Sequence, residues 1–345
     1  MTIGFTEDTR SSRHHRRRTR PPARFDLSLS ENPFPPLPSV LRAVNQALAQ
    51  ANRYPEFLPR ELPENIARHI GVRGDQVVVG SGATGVAMQI MQSLTFDGAE
   101  IVAGTPTFDG YPIMAEMVGM TLVAVPLDAA GNQDLSATRR AIDKRTAIVV
   151  VCRPHNPTGT VVSSGELKSF LSAVPDRVTV ILDEAYAEFL GPEDRVDTLA
   201  LLRKHSNLLV LRTFSKAYGL AGLRIGYAYG RRELVERVRR LQLPFGVSAG
   251  AVAAVSASYA AQPELAARIR HITEEREALR NALLACGHPV PRSHANFLYL
   301  PGPGVATVLR RARIAAKAYP DGSARIAVGD REAGRAVLEA VAGLR

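Results

Sequence analysis

Six short, β-rich and mostly apolar runs limit what this chain can fold into. They lie at 77–79, 100–102, 121–125, 147–151, 178–182 and 207–211, with helical patterns between most of them, including 84–95, 108–118 and 165–173. A strand that is apolar at consecutive positions, rather than at every second one, is buried on both faces. Strands of this kind alternating with helices predict an α/β fold, a largely parallel sheet covered by helices on each side. In such sheets ligands bind outside the carboxyl ends of the strands.

Four of these runs end in polar loops, three of them bearing glycine. After 77–79 comes Gly80-Ser81-Gly82-Ala83-Thr84-Gly85, opening a helix whose first N–H groups suit a phosphate, although such a turn also occurs for purely structural reasons. After 147–151 comes Asn156-Pro157-Thr158-Gly159, a tight turn whose amide suits a phenolate oxygen. After 178–182 comes Asp183-Glu184-Ala185-Tyr186. A carboxylate at a buried strand end is costly unless paired, and a helix cap or a protonated pyridine nitrogen would each serve. After 207–211 comes Thr213-Phe214-Ser215-Lys216-Ala217-Tyr218-Gly219, with Arg224 eight positions beyond Lys216. Desolvation there frees an amine for Schiff-base chemistry, and Ser215 and Arg224 suit a phosphate beside it. Together the loops point to pyridoxal phosphate.

With these motifs, and with Ser30-Glu31-Asn32-Pro33, Asn52-Arg53-Tyr54-Pro55, Pro106-Thr107-Phe108, Ala295-Asn296-Phe297 and Arg325-Ile326-Ala327-Val328-Gly329, residues 27–342 resemble the fold-type-I class I/II aminotransferases. The resemblance is strongest to the histidinol-phosphate aminotransferase branch, with its actinobacterial aromatic amino-acid relatives. It implies a large domain with a mainly parallel seven-stranded sheet, a smaller α+β domain, and a homodimer. It implies ping-pong amino transfer with 2-oxoglutarate as acceptor, from an aromatic-type amino acid or histidinol phosphate. Lys216 then carries the Schiff base and moves the proton. Asp183 pairs with the pyridinium, and Asn156 and Tyr186 hold the ring oxygen. Thr213, Ser215, Arg224 and the backbone of Ala83 and Thr84 cup the phosphate, Phe108 stacks on the ring, and Tyr54 reaches the neighbouring subunit's phosphate. Arg325 grips the substrate, with Asn32 and Lys317 beside it. Thr84-Gly85 stand where that branch often has two acids, Lys317 where it commonly has an arginine, and the usual Tyr-x-x-Gly arm is replaced by an arginine-rich one. A threonine-phosphate-decarboxylase-like lyase and a pyridoxal-bound regulator share the scaffold.

The 345 residues, 46% hydrophobic, suffice for two domains, expected at 51–244 and at 25–50 with 245–345. Residues 1–24 form a basic tail: seven arginines against Glu7 and Asp8 supply half of the net charge of +10. The tail lacks aromatics interleaved among its arginines and any helical periodicity, and is too short for a DNA-reading domain, so no nucleic-acid partner is expected. No apolar run approaches the roughly 18 residues of a membrane span, and no secretory apolar core leads the chain, so a cytoplasmic protein is expected. Cys152 and Cys286 lack metal or redox spacing; no metal site is expected, and both thiols are expected buried and reduced.

Overall fold

The computed structural model describes residues 23–344. Its strands are β1 (Phe25–Asp26), β2 (Val77–Ser81), β3 (Glu100–Thr105), β4 (Thr121–Pro126), β5 (Thr146–Cys152), β6 (Thr179–Asp183), β7 (Leu208–Thr213), β8 (Ile225–Gly230), β9 (Phe297–Leu300), β10 (Ile314–Ala315), β11 (Lys317–Ala318) and β12 (Ala324–Ala327). Seven of them form one sheet in the order β2-β8-β7-β6-β5-β3-β4. Pairing is parallel from β7 through β6, β5 and β3 to β4, and β8 runs antiparallel to both of its neighbours.

Five of the six apolar runs bury both faces, as their pattern requires; the sixth, β4 at the sheet edge, leaves Thr121 and Ala124 exposed and Leu122 and Val123 half-buried. Val77 and Val79 of β2 enter one core with Val149, Val151, Val180 and Val210. Their neighbour Val78 points the other way, into a second core with Ile101, Ile148, Ile181 and Leu209. A strand has period two, so consecutive valines must face opposite layers, and each layer is closed by helices. The helix Gly82–Leu94 sends Val86, Ile90 and Met91 into the second core. The helix Ser164–Ala173 starts on a capping box of Ser163 and Glu166 and sends Leu167, Phe170 and Leu171 into the first.

A smaller sheet, β11-β12-β9, is antiparallel and packs Leu298, Leu300 and Ile326 with Leu283 and Val337 of the helices Gln262–Ala285 and Arg331–Val341. Leu27 joins this core while β1 pairs with β10, so the first described segment is tied to the last third of the chain. Cys152 is buried, but Cys286, expected buried, is exposed, because it stands at the carboxyl end of the helix Gln262–Ala285 where the chain turns into solvent. Apart from Ala23 and Arg24, the basic tail lies outside the described residues. Among the described residues no helix is long and apolar enough to cross a membrane.

Candidate active site

The chain leaves β7 at Thr213 and re-enters the sheet at Ile225. A parallel return would need a longer crossover, usually helical, so this short segment reverses direction and β8 is antiparallel. Lys216 and Arg224 therefore sit near the two ends of one loop at the carboxyl edge of the sheet. Two glycines press that loop against the start of the helix Gly82–Leu94. A Cβ on Gly226 would collide with the Ala83 backbone nitrogen, and one on Gly82 (φ +72°) with the Arg224 guanidinium. Ser81 makes no side-chain cap, which leaves the first N–H groups of that helix to an external acceptor. They meet Arg224 and the hydroxyls of Thr213 and Ser215, which bond to each other at 3.0 Å.

The Lys216 ammonium donates to the Ser30 carbonyl at 2.9 Å and lies 5.6 Å from the Tyr186 ring centroid. Burial first, and then the charge of Arg325, lower its pKa to about 8. Asp183 is buried at the end of β6. Burial pushes its carboxyl up, partly offset by bonds from the Tyr111 hydroxyl (2.7 Å, to Oδ2) and the Ala185 amide (3.0 Å, to Oδ1). Burial likewise pushes the Tyr186 phenol up to about 12, so it keeps its proton at neutral pH.

Arg325 extends from β12 towards the large sheet. One arm donates to Asn156 Oδ1 at 2.7 Å and the other to the Ser28 carbonyl at 2.9 Å, while its buried Nε has no partner. Farther out, Lys317 pairs with Asp109 at 2.5 Å and lies 5.9 Å from the Tyr319 ring centroid. A cavity of about 450 Å³ joins Lys216, Asp183, Tyr186, Asn156, Arg224, Arg325 and Lys317.

The model of the family "Aminotransferase class I and II" matches residues 23–341. The chain belongs to this family. The aminotransferase is 46% identical over 274 residues to an aromatic amino acid aminotransferase of Cutibacterium acnes, covering 79% of this chain and 78% of that one. It is 42% identical over 321 residues to an aromatic amino acid aminotransferase of Rhodococcus opacus, covering 92% and 89%. In structure it resembles histidinol-phosphate aminotransferase from Sinorhizobium meliloti, solved in complex with pyridoxal 5'-phosphate (TM-score 0.86, 25% identity, 93% and 90% covered). The aspartate aminotransferase of Thermus thermophilus shares the fold (TM-score 0.81, 23% identity, 92% and 90% covered).

Of the residues expected at the site, Lys216, Asp183, Tyr186, Ala83, Thr84, Phe108, Asn156, Thr213, Ser215, Arg224, Arg325 and Lys317 all line this same cavity of the aminotransferase. Two do not. Asn32 turns away and donates to the carbonyls of Lys216 (3.2 Å) and Ala217 (3.0 Å), fastening the lysine loop from behind. Tyr54 is 84% exposed and packs on Phe245 at 4.7 Å, outside the cavity. Ser30, Asp109 and Tyr319, which also line the cavity, and Tyr111, behind Asp183, are additions. Tyr111 stands three residues after Phe108, a spacing that would put both on one face of the helix expected over 108–118, but the helix begins at Gly110 and Phe108 lies before it, so the signal is faint. Asp109 and Tyr319 carry none, because their roles depend on packing between segments distant in sequence.

Proposed function

We propose that this aminotransferase exchanges amino groups between an aromatic amino acid and 2-oxoglutarate, using pyridoxal 5'-phosphate. The observation that carries the reading is the Lys216 amine, with its pKa lowered to about 8, in one cavity with the Asp183 carboxylate and an anion cup. The residues present fit that cofactor. The uncapped helix start, Arg224, Thr213 and Ser215 form a donor set for a phosphate dianion. Asp183 is a buried carboxylate that a pyridinium would complement, and Asn156 and Tyr186 offer donors to a ring oxygen. Phe108 supplies an aromatic face, and Tyr54 serves the site of a second copy. Pyridoxal phosphate, when bound, supplies the electron sink that makes an α-proton acidic. Lys216, its pKa lowered towards neutral so that an unprotonated fraction is available near working pH, takes that proton and returns it, while Arg325 holds the substrate carboxylate with its planar fork.

The aromatic preference rests on the names of the two relatives and on Lys317. Because Asp109 already engages that ammonium, it is a poor receptor for a second phosphate. The exposed Tyr54, Phe57, Leu243 and Phe245 form an apolar face that suits a homodimer. We read 51–244 as the cofactor-binding part and 25–50 with 245–345 as the smaller part, in a cytoplasmic protein. The separate core around Leu298 and Ile326 favours this division, and helices Pro38–Leu48 and Ala249–Ala260 form its seam by packing on the large core.

Half-reaction spectroscopy of the cofactor-loaded enzyme against phenylalanine, tyrosine, histidinol phosphate and glutamate tests the reading. Phenylalanine or tyrosine should bleach the cofactor's visible band faster than histidinol phosphate, and Lys216→Ala should abolish both the band and turnover. Faster reaction of histidinol phosphate would refute the aromatic preference. Release of carbon dioxide in place of an oxo acid would identify a lyase.

A further inference from the structure

Tyr111 is a buried phenol in the first turn of the helix Gly110–Met117, and it touches two different parts of the site. Its hydroxyl donates to Asp183 Oδ2 at 2.7 Å. Its ring meets the Phe108 ring edge-on, with centroids 5.8 Å apart and planes at 89°. Phe108 in turn lies back over Gly110, where any Cβ would collide with its ring, so Phe108 is confined between a glycine backbone and the Tyr111 edge. The second oxygen of Asp183 is fixed by the Ala185 amide, and Oδ2 receives the Tyr111 hydroxyl at 2.7 Å and the weaker Cys152 thiol at 3.9 Å, so the phenol is the strong side-chain donor that sets the carboxylate's rotation. Burial, together with the Asp183 charge, holds the phenol's pKa well above its ordinary value, so it remains a donor throughout the working pH range.

We propose that Tyr111 is a positioning residue of the cofactor site, orienting the Asp183 carboxylate through its hydroxyl and the Phe108 ring through its edge. One side chain thereby aligns the group that meets the ring nitrogen and the group that meets the ring face. The inference rests on the reading of Asp183 as partner of that nitrogen, and it adds a residue outside the cavity lining on which that pairing depends. A hydrogen bond to a buried carboxylate is stronger than one between neutral groups. Removing it leaves the carboxylate free to rotate away from the ring nitrogen and underpartnered.

The test titrates the full-length chain, stripped of cofactor, with pyridoxal 5'-phosphate and with its 1-deaza analogue, in which carbon replaces the ring nitrogen. Tyr111→Phe retains the aromatic edge and removes only the hydroxyl. Its affinity for pyridoxal phosphate should fall about tenfold, while affinity for the deaza analogue stays within about twofold of wild type. Tyr111→Leu, which also loses the edge, should weaken both ligands. Equal loss of both ligands in Tyr111→Phe would reduce Tyr111 to general packing and overturn the proposal, as would no loss of either. If the wild-type chain itself binds the two ligands equally, the Asp183 pairing falls, and the proposal with it. A wild-type preference that survives intact in Tyr111→Phe overturns the proposal alone.

Discussion

Asp109→Asn should change which substrates this aminotransferase accepts while leaving its chemistry intact. In the structure the Asp109 carboxylate lies 2.5 Å from the Lys317 ammonium, at the outer wall of the cavity that holds Lys216 and Arg325. The Asp109 and Lys317 side chains are 57% and 35% exposed, so water screens the pair and its worth is that of a surface ion pair, about 0.2–1 kcal/mol. A substrate with a distal anion must displace Asp109 from Lys317 and also lie beside the displaced carboxylate. Neutralising Asp109 removes both costs, together about 1 kcal/mol, or roughly fivefold in kcat/KM. An aromatic side chain carries no charge for either group to feel, so its kcat/KM should stay within about twofold. The assay is the ratio of kcat/KM for histidinol phosphate to that for phenylalanine, at low and at high salt. The ratio should rise about fivefold in Asp109→Asn, and the gain should shrink at high salt as the charges are screened. It should disappear in the double variant Asp109→Asn/Lys317→Met, since the attraction then has no source. An unchanged ratio in the single variant would show that Lys317 does not face the distal end of the substrate, and the reasoning from this ion pair would be refuted.

Capture of the cofactor by the stripped protein requires the neutral Lys216 amine. Lowering a lysine pKa to about 8 populates the neutral form above that value, so the stopped-flow rate of adduct formation should rise with pH through a midpoint near 8. A midpoint near 10.5, the ordinary lysine value, would mean that the loop does not desolvate the amine. Gly226→Ala places a methyl group against the Ala83 backbone and pushes the helix Gly82–Leu94 away from Arg224. Overpacking of this kind should cost about 1–3 kcal/mol in urea unfolding and also weaken binding of pyridoxal phosphate; loss of stability without loss of affinity would separate the glycine from the anion cup.

The large sheet was legible because six of its strands are apolar at consecutive positions, a pattern that five of them bury on both faces and that the edge strand β4 leaves half exposed. The seventh, β8, reads Ile225-Gly226-Tyr227-Ala228-Tyr229-Gly230, and its glycines and tyrosines break any apolar run. Both glycines face crowding that admits no side chain: Gly226 meets Ala83, and Gly230 meets the Leu208 carbonyl and the Leu209 side chain. The features that hid the strand are therefore those that let it wedge between β2 and β7, and that wedge sets Arg224 beside the helix start. The site divides along the same line. Lys216, Asp183 and Asn156 could be read in sequence because each stands at or just past a strand's carboxyl end, where the parallel topology dictates that ligands gather, and Arg224 because it closes the same loop that carries Lys216. Asn32 shows the limit of that rule. It lies in an irregular segment, where no period fixes the direction of a side chain, and its amide serves the backbone of Lys216 and Ala217 instead of the cavity. Asp109 and Tyr111 follow Phe108 in a segment whose apolar pattern gives burial but not partners, and their partners come from β6 and β11. The strand ends thus place the reactive groups by topology alone, whereas the groups that aim them and those that sort substrates depend on contacts between distant segments.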